Sequence, residues 1–560
     1  MLARRSLLAQ TLGGWRHRTQ RLPQKAHQRK PAGICNLEIR EITRKGLDAS
    51  VACNHNQPAE PASTSRQRNK DVAPQPAAVL LMQNCERMDA RLPCFYAPMC
   101  ARITASGTAE KIMQTTQAIH ENASKLNKIL DSSVAGCFLS DLGRRIYFPH
   151  GIIAQGGEAK RKASFANATI GMMTQNGIPV ILDEIASQLP ELTAAQIVAY
   201  SPTAGNDSLR LLWRELMLKK NPALQDVLFS VPVVVPGLTA GLSTICDLFV
   251  NAGDSVIAAE PSWDNYQLIV EARRSARLRR FDIFDTSAIG NADSAAARFC
   301  FESFEKVVAQ EAKSGCVRLL LNFPHNPSGY SLYRDEAKKL CAFIEEKAKE
   351  GTKFLIISDD AYFGLNFEDG IETQSLFAYF ATLHKNVLAV KLDGPTKEDY
   401  VWGLRCGFLT FASLAFDAET VDALTQKLMG LLRSSVSCSS TPAQTLVLKA
   451  YQMHTLEKSR EKFALILKQR CDAVRAITEK NKAHPFLKAL PFNSGYFMSF
   501  FCKGLDAEEL RLKLLTEHKI GTISINPHVL RVAFSSLDME QIAQVYETIY
   551  RTAEELGTMQ

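Results

Sequence analysis

Short β-rich runs alternate with helical patterns through the middle of the chain. VPVVV at 231, SVIAA at 255, VRLLL at 317, KFLIIS at 353, NVLAVKL at 386 and GFLTF at 407 are apolar and mostly β-branched or aliphatic, the pattern of strands buried on both faces. Between them, residues 335–349 place Leu340, Phe343, Ile344 and Lys347 on a 3.6-residue period and stop at Gly351, which predicts a helix. This interleaving predicts a largely parallel sheet wrapped by helices, in which ligands bind at the carboxyl ends of the strands. A further helix is predicted over 110–130. After Thr441 one long helical stretch is predicted to about residue 482, followed by short strands around YFMSFF and VLRVAFS and a terminal helix. That tail reads as a separate, smaller layer. No repeat recurs at solenoid periods.

With 46% apolar and 22% charged residues, the 560-residue chain has the balance of a globular protein and can bury a large core. A wholly disordered or fibrous chain is excluded. The formal charge of +8 is confined to one end: residues 1–37 carry eight Lys or Arg and no Asp or Glu, and the remainder balances at 58 basic against 58 acidic residues. A phosphate-backbone footprint for nucleic acid therefore has no electrostatic support. The opening MLARRSLLAQTLGGWRHRTQ is Arg-rich and acid-free, with Leu2, Leu7, Leu8, Leu12 and Trp15 on a rough helical stripe. It matches a transit peptide for the mitochondrion or another imported organelle; a basic tail, or an extension ahead of a start at Met88 or Met99, shares that composition. Residues 38–104 lack periodicity and read as linker.

Fourteen cysteines occur without a single C-x-x-C, so neither zinc nor a redox motif is indicated and the thiols are expected reduced and mostly buried. No metal site is expected. Residues 227–246 carry no charge, but Pro232, Pro236, Gly237 and Gly241 make them strand, turn and helix, and no membrane span is predicted.

Chemistry gathers at the strand ends. In LDGPTKEDYVWGLRCG (392–407) a strand runs into Lys397, with Arg405 eight residues on. A lysine held there can form a Schiff base with an aldehyde cofactor, and an arginine can hold that cofactor's phosphate. Taken alone, K-x7-R is two cations on a solvated loop. KFLIIS, however, ends in Asp359-Asp360-Ala361-Tyr362; VRLLL ends in NFPHNPSG, presenting Asn326; VPVVV ends in PGLTAG (236–241), which opens a helix that can cradle phosphate; and SVIAA ends in EPSWDNY, presenting Trp263.

Over roughly residues 160–555 these stretches resemble the class I and II aminotransferases, pyridoxal-phosphate (PLP) enzymes of fold type I. The resemblance implies an α/β fold: a large domain with a mostly parallel seven-stranded sheet between helices, and a smaller α+β domain drawn from both chain ends. It divides the chain into a leader and disordered segment (1–104), an N-terminal arm with part of the small domain (105–190), a large PLP-binding domain (191–455) and a C-terminal small domain (456–560). It implies Lys397 as the Schiff-base lysine and proton shuttle, Asp359 as the partner of the pyridine nitrogen, Asn326 and Tyr362 at the ring 3′-oxygen, and Trp263 against the ring face. Gly237, Leu238, Thr239, Ala240, Thr396 and Arg405 match the phosphate cup, and Arg531 in VLRVAFS the grip on the substrate α-carboxylate. Serine often stands where this chain has Gly394.

NATIGMMTQNGIPV is similar to the N-terminal segment of aspartate-type enzymes and implies Gly171 beside the substrate. Tyr200 in YSPTAG is similar to the tyrosine that reaches a neighbouring subunit's cofactor phosphate, which implies a homodimer. Arg433 and Ser437 repeat the R-x-x-x-S of aspartate- and aromatic-type enzymes. Arg433 is either a cross-subunit fork for a distal substrate carboxylate or a structural arginine at the subunit contact. Residue by residue, the bland alternatives are a core tryptophan at 263, a buried tyrosine at 200 and a strand-end cation at 531. The implied activity is amino transfer from an aspartate-like or aromatic amino acid to a 2-oxo acid, 2-oxoglutarate by family analogy, in a ping-pong cycle. A lyase or decarboxylase on the same cofactor is the alternative. A non-catalytic regulator ranks behind both, because the leader carries no helix-turn-helix pattern.

Overall fold

The six apolar runs, joined by one charged segment, form a seven-stranded sheet. Its strands are β1 (Val233–Val235), β2 (Ser255–Glu260), β3 (Arg277–Asp282), β4 (Cys316–Asn322), β5 (Lys353–Asp359), β6 (Val387–Asp393) and β7 (Gly407–Ala412), in the spatial order β1-β7-β6-β5-β4-β2-β3. The computed structural model describes residues 119–131, 139, 141–147, 151–285, 289 and 297–559; the expectations for the transit segment and linker, and the first part of the helix over 110–130, lie outside them. Only β7 runs antiparallel, to both β1 and β6, and the other pairings are parallel. Successive residues feed opposite cores. Val233, Val256, Leu320, Ile357, Val390 and Leu409 face one, while Val234, Ile257, Leu319, Ile356, Ala389 and Phe408 face the other. The two-residue alternation buries both faces, which is why these strands are apolar throughout. The edge strand β3, RLRRFD, buries only Leu278 and Phe281 and leaves its arginines outward, so its sequence does not resemble a core strand.

Helices α1 (Glu121–Leu130) and α2 (Ile152–Lys162) precede the sheet. The layer helices are α3 (Asp207–Lys220), α4 (Leu238–Phe249), α5 (Phe301–Ala312), α6 (Arg334–Lys349) and α7 (Leu376–Leu383), followed by α8 (Ala418–Ser435), α9 (Thr441–Gln452) and α10 (Leu456–Lys480). The single helix expected over 441–482 is therefore two. Met453 takes extended backbone, and Thr455 and Ser459 donate hydroxyl bonds to the buried carboxylate of Glu184 at 2.5 and 2.9 Å, turning the chain toward its second layer. That layer is an antiparallel sheet of β8 (Leu487–Ala489), β9 (Met498–Cys502), β10 (Ile523–Asn526) and β11 (Val529–Val532), ordered β8-β9-β11-β10, packed by α10, α11 (Ala507–Thr516) and α12 (Met539–Met559). Upstream sequence joins it, since Ala166 and Asn167 pair with Ile520 and Gly521. Among the described cysteines none is bridged. No helix among the described residues is long and apolar enough to cross a membrane.

Candidate active site

At the carboxyl end of β5 the register sets Asn322 of β4 beside Asp359. Asn322 donates Nδ2–H to the Asp359 carbonyl at 2.7 Å, and its Oδ1 accepts the Asn326 amide at 2.8 Å, so one amide side chain ties two strand ends together. The Asp359 carboxylate is buried and accepts a side-chain hydrogen bond from the Tyr266 hydroxyl at 2.6 Å on Oδ2. Its Oδ1 is also buried and has no side-chain hydrogen-bond partner among the described residues. Burial raises the carboxyl pKa, while the Tyr266 bond, the Lys397 charge and the Ala361 backbone amide pull against that rise. The next residue faces away. Asp360 takes Lys391 and Ser375, each at 2.5 Å, and Lys391 also pairs with Asp393 at 2.9 Å, so of the two consecutive aspartates only Asp359 lines the cavity.

Lys397 stands on a single helical turn, Pro395–Glu398, directly after β6. Its Nζ lies 4.6 Å from the Tyr362 ring centre, and its carbonyl accepts the Tyr496 hydroxyl at 2.6 Å. Desolvation pulls the ammonium pKa down to about 8; Asp359 opposes that shift and Arg405 adds to it. The turn is held from below. Glu398 pairs with Lys220 and Arg460, and Asp399 with Arg460 and the Tyr451 hydroxyl. Gly394 explains the departure from serine: a Cβ there would stand 2.9 Å from the Cys406 carbonyl oxygen and 3.0 Å from the Gly407 Cα. The neighbouring Thr396 is buried and lines the cavity.

At the other end, Gly237 caps α4 with φ +86°, and Arg405 adopts left-handed backbone at φ +53°. The positive φ favours glycine at 237, and a Cβ there would displace the Arg405 guanidinium from its place. Leu238, Thr239 and Arg405 line the cavity; Gly237 and Ala240 lie immediately beside them without lining it. No carboxylate pairs with Arg405 among the described residues.

Arg531 of β11 is buried. It donates from Nη1 to Asn326 Oδ1 at 3.0 Å and from Nη2 to the Thr169 carbonyl at 2.9 Å, and lies 4.3 Å over the Phe497 ring. Its Nε is unpartnered and no carboxylate pairs with it among the described residues. Burial accordingly lowers the guanidinium pKa to about 10. Gly171 closes this end, where a Cβ would come 2.8 Å from Phe497 Cζ and 3.4 Å from the Tyr362 hydroxyl.

These groups share one cavity of about 480 Å³, within the range for a cofactor with its substrate. Gly171, Leu238, Thr239, Trp263, Asn326, Asp359, Tyr362, Thr396, Lys397, Arg405 and Arg531 all line it, and Trp263 stands edge-on to Tyr266 at 5.5 Å. Two expected residues are elsewhere. Tyr200 is 92% exposed, so it is not part of this chain's own core, and Arg433 sits exposed in the last turn of α8, bonded to Ser437. Sequence reading missed Tyr266, Asn322, Phe497 and Lys160. Tyr266 lies three residues after Trp263, and Asn322 opens the NFPHNPSG stretch, so both sat inside motifs already singled out. Among the described residues no cluster could hold a metal ion.

A mostly parallel seven-stranded sheet with a lysine, an aspartate and an arginine converging at its strand ends defines a fold type I transferase of the α/β class. The chain belongs to the aminotransferase class I and II family, which it matches over residues 169–549. It is 21% identical over 254 residues to the probable N-acetyl-LL-diaminopimelate aminotransferase of Bacillus subtilis, covering 45% of this chain and 56% of that one. It is 25% identical over 269 residues to a probable kynurenine–oxoglutarate transaminase of Saccharomyces cerevisiae, covering 47% and 55%. The chain thus spans little more than half the length of these two relatives. The crystal structure of Pyrococcus horikoshii kynurenine aminotransferase superposes with a TM-score of 0.62 at 17% identity, over 76% of this chain and 99% of that one.

Proposed function

We propose that this protein is a PLP-dependent aminotransferase that moves the amino group of an aspartate-like or aromatic amino acid to a 2-oxo acid, with 2-oxoglutarate as acceptor. The observation that carries the reading is the buried Oδ1 of Asp359, without a side-chain partner, in the cavity that also holds Lys397. A buried carboxylate oxygen short of donors is costly, and a protonated ring nitrogen is the donor that would relieve it. PLP, when bound, supplies an aldehyde that accepts amino groups and a pyridine ring that takes up electron density from the substrate Cα.

The chain's own groups divide the remaining work. Asp359 would hold a proton on the pyridine nitrogen, and Asn326 and Tyr362 would bond the ring 3′-oxygen. Trp263 would cover a ring face. The Gly237–Ala240 backbone, Thr239, Thr396 and Arg405 would hold the phosphate, an arrangement supported by a helix start and a guanidinium with no carboxylate to satisfy. Lys397 Nζ, with its pKa lowered to about 8, would be neutral often enough near physiological pH to attack the aldehyde and to move the Cα proton. Arg531, a desolvated cation that Asp264 attracts without pairing directly, would take the substrate α-carboxylate.

Tyr200 and Arg433 would reach a site only across a homodimer. Exposed Val198, Ile197, Leu189 and Ile178 on the same N-terminal segment support an apolar contact there. The same reading divides the chain at about 104, 190 and 455, and the opening MLARRSLLAQTLGGWRHRTQ is assigned to organelle import.

Product analysis tests the activity. Holoenzyme given an α-¹⁵N-labelled amino acid and 2-oxoglutarate should place the label in glutamate and release the matching 2-oxo acid. Label in free ammonia, or evolved carbon dioxide, would make the protein a lyase or decarboxylase.

A further inference from the structure

Helix α2 forms one wall of the cavity, through Ile152, Gly156, Gly157 and Lys160. The spacing of four, five and eight residues puts all four on one helical face. The wall belongs to the Arg531 end, because Gly156 lies against Thr169, whose carbonyl holds Arg531. Two adjacent glycines inside a helix weaken it and call for a reason. Packing is not the reason, since a Cβ at Gly156 would meet only Thr169 Oγ1 at 3.7 Å, and one at Gly157 only Arg161 Nη1 at 3.9 Å. The glycines instead leave the cavity side of the helix low.

Charge accounting in the cavity then isolates Lys160. Four cations line it, Lys160, Lys397, Arg405 and Arg531, against a single carboxylate, Asp359. On the proposed reading, Lys397 meets the aldehyde, Arg405 the phosphate, Arg531 the α-carboxylate and Asp359 the ring nitrogen. Lys160 is left over. The acid nearest in sequence is engaged elsewhere, since Glu158 pairs with Lys162 and Arg511. Arg161 and Lys162 also end α2, and a basic last turn by itself only complements the helix dipole. Lys160 is exposed, and what separates it from them is that it lines the cavity.

We infer that Lys160 is a distal-anion anchor: the cavity takes amino acids whose side chain passes over Gly156 and Gly157 and ends in an anionic group, held from within the same chain. This rests on the aminotransferase reading for the roles of the other three cations.

The test compares probes that differ only in the distal group. Calorimetry on holoenzyme should show adipate binding about 10- to 100-fold tighter than hexanoate, the range of a charge-assisted contact. Lys160→Met should remove that preference and Lys160→Arg should retain it. In single-turnover kinetics, Lys160→Met should lower kcat/KM for L-2-aminoadipate by the same factor and leave L-norleucine unchanged. Equal affinity of the two acids for the wild-type holoenzyme would overturn the inference. So would a preference that survives Lys160→Met, or one abolished by Arg433→Ala instead. The two readings fail separately: a Lys160-dependent adipate preference without amino transfer sinks only the transferase, and transfer with a Lys160-independent preference sinks only the anchor.

Discussion

The inner and outer parts of the candidate site are built differently. Asp359, Asn326, Lys397 and Arg531 come from four separate segments, yet each is fixed by the fold of one chain, through the β4–β5 register, the Asn322 bridge, the turn braced by Glu398 and Asp399, and the Asn326–Arg531 bond. Tyr200 and Arg433 are surface residues, one 92% exposed and the other bonded to Ser437, four residues on. The difference teaches where the chemistry and the assembly reside. The groups proposed to react are arranged within one chain, and on the homodimer reading a second copy would add a rim.

The largest effect should come from the centre of the inner set. Lys397→Ala should lower turnover by at least about 10⁴-fold while cofactor still binds through the phosphate and ring contacts, read by steady-state kinetics beside cofactor absorbance. An active Lys397→Ala enzyme would place the nucleophile elsewhere and dissolve the contrast. Asp359→Asn should follow, with a loss of about 10²- to 10³-fold, because one member of a buried charge pair is removed. Asp360→Asn should instead reduce stability more than rate, since Asp360 neutralises the fully buried Lys391; the reverse pattern in melting and kinetics would exchange their roles.

The pH dependence of cofactor loading sharpens the same picture. On the proposed reading Lys397 would react as the neutral amine, and its depressed pKa makes that form available from about pH 8 rather than at the usual lysine value. The loading rate of apoprotein should therefore rise with pH through a midpoint near 8. Arg405→Gln removes a cation that disfavours the ammonium, so the midpoint should move up; Asp359→Asn removes an anion that favours it, so the midpoint should move down. Stopped-flow absorbance reads all three, and shifts of the opposite sign would contradict the electrostatics.

The smallest effect belongs to the rim. With Lys160 holding the distal anion, Arg433→Ala should lower kcat/KM for acidic and aromatic amino acids alike, by about tenfold or less. A loss of about 30- to 1000-fold confined to acidic substrates would mark Arg433 as a cross-subunit fork and draw part of the chemistry out to the interface.

The division also explains what the sequence made legible. The six core strands were readable because burial on both faces demands apolar runs, and the strand-end motifs because local turns carry them. β3 escaped because an edge strand needs only Leu278 and Phe281 inside, so RLRRFD looks like surface. The break between α9 and α10 escaped because no Gly or Pro marks it; the turn is held by Thr455 and Ser459 reaching Glu184, some 270 residues away in sequence. Tyr266 and Asn322 act through contacts that only the register of β4 on β5 and the packing after β2 create. Lys160 was hidden inside EAKRK, which reads as a solvated basic helix end until the fold sets one of its faces against the cavity.

The central claim is that one lysine, fixed at the end of β6, carries the reactive amine. Reducing holoenzyme with borohydride fixes the cofactor to the lysine that holds it, and peptide mass spectrometry then locates the adduct. The account predicts a single phosphopyridoxyl group, on Lys397, lost in Lys397→Ala and retained in Asp359→Asn and Arg433→Ala. An adduct on Lys160, on Lys391 or on no lysine at all would contradict it.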